Sequence, residues 1–158
     1  MKLQLFTLIL LAFLLPNLGC AQPPHQKKAN CMDQKFDNRV NELLRFTVPV
    51  MDVDQLKTEK ENVLILDARE KEEFDISHIE GAKHIGYDKF NKKDMKEIPK
   101  DAKIVIYCSV GYRSEKIGEK LQKMGYSDVN NLYGSIFEWV NRGNVVVDKE
   151  GKTTATVH

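Results

Sequence analysis

Residues 104–107 (Ile-Val-Ile-Tyr) form a run of β-branched and aromatic side chains that ends on Cys108, Ser109, Val110 and Gly111. Four such residues in succession fit a buried strand. From Ser114 onward Ile117, Leu121 and Met124 recur at i, i+4 and i+7, which predicts an amphipathic helix. Cys108 therefore falls where a strand stops and a helix starts, the position at which open α/β sheets place their sites. A glycine-bearing turn there aims backbone N–H groups, and the positive helix end, at whatever the sulfur carries. Such surroundings favour the thiolate, the nucleophilic form of cysteine.

A second continuous apolar run, residues 63–67 (Val-Leu-Ile-Leu-Asp), also suits a strand buried on both faces. Before it, Asp52 with Gln55 three residues on is a helix-capping pattern, so a short helix through Leu56 is predicted. Two apolar runs, each followed by a helical pattern, imply an α/β fold with a central parallel sheet and helices on both faces. The 158 residues are 42% hydrophobic and 30% charged, which suits one globular domain behind a short leader. Lys plus Arg total 24 against 23 Asp plus Glu. That balance argues against a nucleic-acid partner and gives the domain itself no electrostatic attraction to a membrane; a monomer is expected.

The chain ends carry separate signals. Lys2, an apolar stretch over 3–15 and small residues after it read as an export segment over 1–20, too short to span a bilayer, which takes roughly 20 apolar residues. Gly19-Cys20 resembles a lipoprotein cleavage site with Cys20 as the acylated residue, although Asn17 stands where that motif usually has an aliphatic side chain. Ordinary cleavage after Ala21 is the competing exit. Either way a bacterial envelope location is expected, periplasmic or tied to the membrane only through a lipid anchor. Residues 21–47 then read as a polar, proline-bearing tether over 22–30 and an added helix over 33–46, where Phe36, Val40, Leu43 and Leu44 recur at helical spacing. That helix is expected to make core contact and nothing more, and Cys31 to be an incidental free thiol in a flexible segment. Beyond residue 144, the stretch 145–158 fits either a hairpin or a frayed tail.

Four motifs in order along residues 48–144 carry a family resemblance. Cys108-x-x-Gly111-x-Arg113-Ser114 resembles the active-site loop of single-domain rhodaneses, the sulfurtransferases. Asp67-Ala68-Arg69 resembles the Asp-x-Arg element of that family. Residues 77–85 (Ser-His-Ile-Glu-Gly-Ala-Lys-His-Ile) resemble its Gly-His-Ile-x-Gly-Ala-x-x-Ile signature, with Ser77 in place of the first glycine. Residues 129–139 resemble its strand, glycine turn and tryptophan-bearing helix, with Ser135 where a second glycine is common. The resemblance implies a rhodanese-like fold and a persulfide on Cys108, cradled by Ser109, Val110, Gly111, Tyr112, Arg113 and Ser114.

The individual residues admit more than one role. Cys108 as sulfur carrier competes with Cys108 as a small buried hydrophobe, but a core strand has no need of a glycine loop beside it. Arg113 either holds an anionic donor or ties the loop to an acidic neighbour such as Glu70. Arg69 is a candidate substrate contact or half of a structural ion pair, and Asp67 a carboxylate that braces the site. His78 and His84 sit in a motif that reads as structural, and no Cys/His spacing suggests a metal. No metal or organic cofactor is implied. The implied partners are a small thiosulfate-like donor and a thiophilic acceptor: cyanide, a small thiol or a protein thiol. Two other functions share this fold: a phosphatase or arsenate reductase, and a non-catalytic interaction module. The oxyanion enzymes have one more residue between cysteine and arginine, whereas here Arg113 follows Cys108 by five positions, the shorter form.

Overall fold

The run that ends on Cys108 is the middle strand of a five-stranded sheet in which every pairing is parallel. The computed structural model describes residues 29–157; the export segment 1–20, Cys20 and tether residues 21–28 lie outside the described residues. The chain runs α1 (Gln34–Leu43), β1 (Val50–Met51), α2 (Val53–Glu59), β2 (Leu64–Asp67), α3 (Lys71–Ile76) and β3 (Lys83–His84). It continues through β4 (Lys103–Tyr107), α4 (Tyr112–Lys123), β5 (Asp128–Leu132) and α5 (Ser135–Asn141), and closes on β6 (Val146–Val147) and β7 (Thr153–Thr154).

Alternation along β4 builds both halves of the core. Ile104 and Ile106 pack with Ile117 and Leu121 of α4 on one face. Val105 and Tyr107 pack with Leu56 of α2 and with Ile136 and Trp139 of α5 on the other. These four of the five β4 side chains are fully buried, each contributing on the order of 1.5–3 kcal/mol. Asp52 caps α2 by accepting the Asp54 N–H at 2.8 Å. The expected reciprocal bond from Gln55 is replaced: its amide donates to Glu59 at 3.1 Å, one turn on.

Strand order β1-β5-β4-β2-β3 places the site. From β4 the chain crosses through α4 to β5 on one side, and from β2 through α3 to β3 on the other. The loops after β2 and β4 therefore leave neighbouring strand ends in opposite directions, opening a crevice at the carboxyl edge. Cys108 and the Asp67–Arg69 segment flank it.

Two segments outside the sheet are better ordered than their composition suggests. Cys31 is buried, not in a flexible stretch: with Ala29, Val40, Leu44 and Tyr133 it forms a small third core under α1. Its N–H donates to Asp37 Oδ1 at 2.8 Å. At the other end β6 and β7 pair as an antiparallel hairpin. Reciprocal bonds between His78 and Val147 (2.8 and 2.9 Å) and the buried Val146 fix that hairpin to the domain.

Candidate active site

Cys108 is 1% exposed, at the end of β4. Two neighbours hold it in place. The Ser135 hydroxyl accepts the Cys108 N–H at 3.2 Å and donates to the Leu132 carbonyl at 3.1 Å. The Cys108 carbonyl accepts the Ile136 N–H at 3.2 Å. Ser135 adopts φ +55°, a left-handed conformation unusual for a residue with a side chain, and its hydroxyl is what the β4 end gains from it.

The loop then turns back on the sulfur. Gly111 donates its N–H to Cys108 Sγ at 3.1 Å, and the Ser114 hydroxyl lies 3.5 Å from the same atom. Gly111 has φ +120°, and a Cβ there would meet Leu44 Cδ2 at 3.2 Å, so both backbone conformation and space select glycine. Asn131 on β5 fixes the turn from below: its amide donates to the Gly111 carbonyl at 3.0 Å, and its oxygen accepts the Ser114 hydroxyl at 2.7 Å. The first turn of α4 starts at Tyr112 on the sulfur's side, where helix N–H groups lack intrahelical acceptors. A sulfur-centred anion at Cys108 thus meets donors and a positive helix end.

Arg113 closes the loop. Its two terminal nitrogens bond both oxygens of Glu73 at 2.6 and 2.8 Å, and Nη2 also reaches the Ser109 hydroxyl at 2.9 Å. The acidic partner is Glu73, not Glu70. Glu70 is the N-cap of α3 and Glu73 its third residue, in a capping box where Glu73 Oε2 also accepts the Glu70 N–H at 3.0 Å. Partial burial opposes ionisation of Glu73, but the Arg113 hydrogen bonds and the Glu70 N–H outweigh it and pull its pKa down to about 2. Arg113 is pushed upward in turn, first by Glu73 and then by the nearby Cys108.

That pairing has a pH signature. Because the folded Glu73 titrates near 2 and a free glutamate near about 4.3, the pair stabilises fully above about pH 5 and its contribution is lost as pH falls through 4 toward 2. Glu73→Gln should lower stability at neutral pH by about 1 kcal/mol, since water screens the partly exposed pair. It should also flatten the dependence between pH 5 and 2. Urea unfolding of both proteins at several pH values reads this directly; parallel curves would rule it out.

The other candidate residues are placed as follows. Val110 is half-buried at the loop tip, facing α1, and Tyr112 is 43% exposed at the start of α4. Arg69 is fully buried and not a surface group open to substrate: its guanidinium holds Asp67 Oδ2 at 2.7 Å and the Ser77 carbonyl. Asp67 accepts from the Arg69 backbone N–H at 2.8 Å and from its side chain, bracing the β2 end beside Cys108. His78 and His84 bond the carbonyls of Phe74 and Arg69, both at 2.9 Å. Burial, reinforced by the Glu138 and Asp37 carboxylates, pushes the Cys31 thiol up to about 12, which leaves it unreactive. Among the described residues no group of three His, Cys, Asp or Glu side chains could hold a metal ion.

Residues 52–142, more than half of the chain, match the Rhodanese-like domain family. The chain belongs to that family. The rhodanese match contains the whole loop from Cys108 to Ser114, with Glu73, Asn131 and Ser135, and leaves out α1. The tRNA uridine(34) hydroxylase of Listeria monocytogenes HCC23 is 41% identical over 81 residues, covering 48% of this chain and 25% of that protein. The chain thus spans about a quarter of the length of the curated relatives it matches. Among solved structures, a rhodanese-like domain protein of Staphylococcus aureus is 26% identical, with TM-score 0.54 over 68% of this chain and 99% of that one. The BH2092 protein of Bacillus halodurans shares the fold at TM-score 0.60 and 22% identity, over 72% and 87% of the two chains.

Glu73, Asn131 and the Ser135 hydroxyl were not singled out as site residues by sequence. Glu73 carried one signal, its spacing of three from Glu70 at a helix start.

Proposed function

We propose that this protein is a sulfurtransferase that carries sulfane sulfur on Cys108. The observation that supports it best is the buried Cys108 sulfur receiving the Gly111 N–H at 3.1 Å inside a loop closed by Arg113 and Glu73. The Cys108 thiolate attacks the outer sulfur of a thiosulfate-like donor. Its S–S bond breaks, the electron pair leaves with sulfite, and Cys108 becomes Cys–S–S⁻. Cyanide or a thiol then takes the outer sulfur and returns the thiolate. Two displacements through a covalent intermediate give ping-pong kinetics. In each the Gly111 N–H and the α4 end stabilise charge on the resting or departing sulfur. Residues 1–20 as an export segment, with or without Cys20 acylation, put this exchange in the bacterial envelope.

The sequence likeness to tRNA uridine(34) hydroxylases favours a second reading, a role on tRNA. The near-equal totals of basic and acidic residues supply little of the charge that phosphate binding uses, and the export segment expected over 1–20 would keep the chain apart from tRNA. The four residues between Cys108 and Arg113 speak against phosphate or arsenate chemistry, because the ring is short of one amide.

Intact mass spectrometry after thiosulfate treatment tests the proposal. One added sulfur on Cys108, removed by cyanide, is the expected result, with negligible turnover of aryl phosphates and no mobility shift of tRNA. No adduct, aryl phosphate turnover equal to sulfur transfer, or tight tRNA binding would overturn it.

A further inference from the structure

Helix α1 lies outside the family match, yet it is fastened to the domain at both of its ends, after the helix to the reactive loop and the first turn of α4, and before it to α5. After the helix, the N–H groups of Arg45 and Thr47 donate to Glu115 in the first turn of α4, at 3.1–3.2 Å, and Leu44 packs on Gly111. Before the helix, the Met32 N–H donates to Glu138 at 2.9 Å, and Cys31 Sγ sits 2.8 Å from where a Gly134 Cβ would be. Phe36, Val40 and Leu43 line a cavity of about 320 Å³ whose opposite wall is Val110, two residues from Cys108. Leu43 is 42% exposed there, a large apolar side chain left facing solvent beside the loop. The rim residues Arg39 and Glu42 pair with each other at 2.9 Å, so the cavity mouth offers no net charge.

Resting on the persulfide chemistry proposed above, we infer that this cavity binds the substituent of the sulfur acceptor, and that the acceptor is a small organic thiol with an uncharged, apolar group. The volume suits a small molecule rather than cyanide. The self-neutralised rim gives a charged substituent no partner, and apolar walls favour an alkyl or aryl one. The link to the sulfur is Val110, a loop residue two positions from Cys108 that forms part of the cavity wall. In the step itself the thiol sulfur bonds to the outer sulfur of the Cys108 persulfide. The Sγ–S bond breaks, its electron pair stays on Cys108, and the thiol proton passes to the departing hydropersulfide. No net oxidation occurs.

Two measurements on the full-length protein test this. First, kcat/KM for phenylmethanethiol is compared with that for cyanide in wild type, Leu43→Ala and Leu43→Trp. Alanine removes a wall and tryptophan fills the space, so both should lower the thiol-to-cyanide ratio by about tenfold, as trimming or blocking an apolar pocket does. Second, phenylmethanol, which has no thiol, is titrated into the unmodified protein and followed by amide NMR. Shifts confined to Phe36, Val40, Leu43 and Val110 are expected. An unchanged ratio, or shifts elsewhere only, overturns the acceptor cavity while leaving a cyanide-labile persulfide standing. Absence of any Cys108 persulfide overturns both.

Discussion

Replacing Cys108 by serine should reduce sulfur transfer to cyanide by on the order of 10⁴-fold or more, because the covalent route is lost and no other thiol lines the loop. A hydroxyl is a far poorer nucleophile and forms no persulfide. It does fit the same space and accepts the Gly111 N–H that now meets Sγ at 3.1 Å, so the fold should survive nearly unchanged. Ser114→Ala separates the roles further. It removes the hydroxyl 3.5 Å from the sulfur and the 2.7 Å bond to Asn131, leaving the nucleophile in place. Transfer should fall roughly tenfold, less than for any change at Cys108 itself. Cyanide-detected transfer, with circular dichroism to verify folding, decides the matter. A serine variant that keeps more than a hundredth of wild-type transfer would show that Cys108 is not the carrier.

The Cys108 loop could be read from sequence because its determinants are local. The apolar run at 104–107, the glycine three residues past the cysteine and the helical spacing from Ser114 all lie within one short window, and the cap at Asp52 is equally local. What sequence did not yield is non-local. Arg113 chooses Glu73 across a separation of 40 residues, and Glu70, equally acidic and only three residues away, is turned aside because it caps α3. Cys31 sits in a polar, proline-preceded stretch with no apolar period, so nothing local announces that Tyr133 and Leu44 will cover it. Helix α1 shows the same limit. Its periodicity names a buried face, whereas its position against Val110 depends on Glu115 capturing two backbone N–H groups after the helix.

Removing the charge of Asp67 should cost more stability than any other single change at the site, about 3–5 kcal/mol. Asp67 and Arg69 are both fully buried, and the carboxylate accepts from the arginine backbone N–H at 2.8 Å, from Nε at 3.1 Å and from Nη2 at 2.7 Å. The guanidinium continues to the Ser77 carbonyl and stacks over the Tyr107 ring at 5.7 Å. One ion pair therefore joins the end of β2, the turn before His78 and the last residue of β4, immediately before Cys108. Asp67→Asn preserves shape and the bond to the Arg69 backbone but strands a buried cation, and most of the loss comes from that stranded charge. Pairing it with Arg69→Met removes the cation too. The double variant should then recover at least half of the lost stability, a clear departure from additivity. Urea unfolding of the two single variants and the double measures this coupling. Costs that simply add would remove the stranded-charge explanation. The same proteins also test the buried position of Arg69 against its candidacy as a substrate contact. With the fold recovered, the KM for thiosulfate in the double variant should stay within about threefold of wild type, because a fully covered guanidinium has no reach to a ligand. A rise of tenfold or more with stability restored would return Arg69 to the donor site.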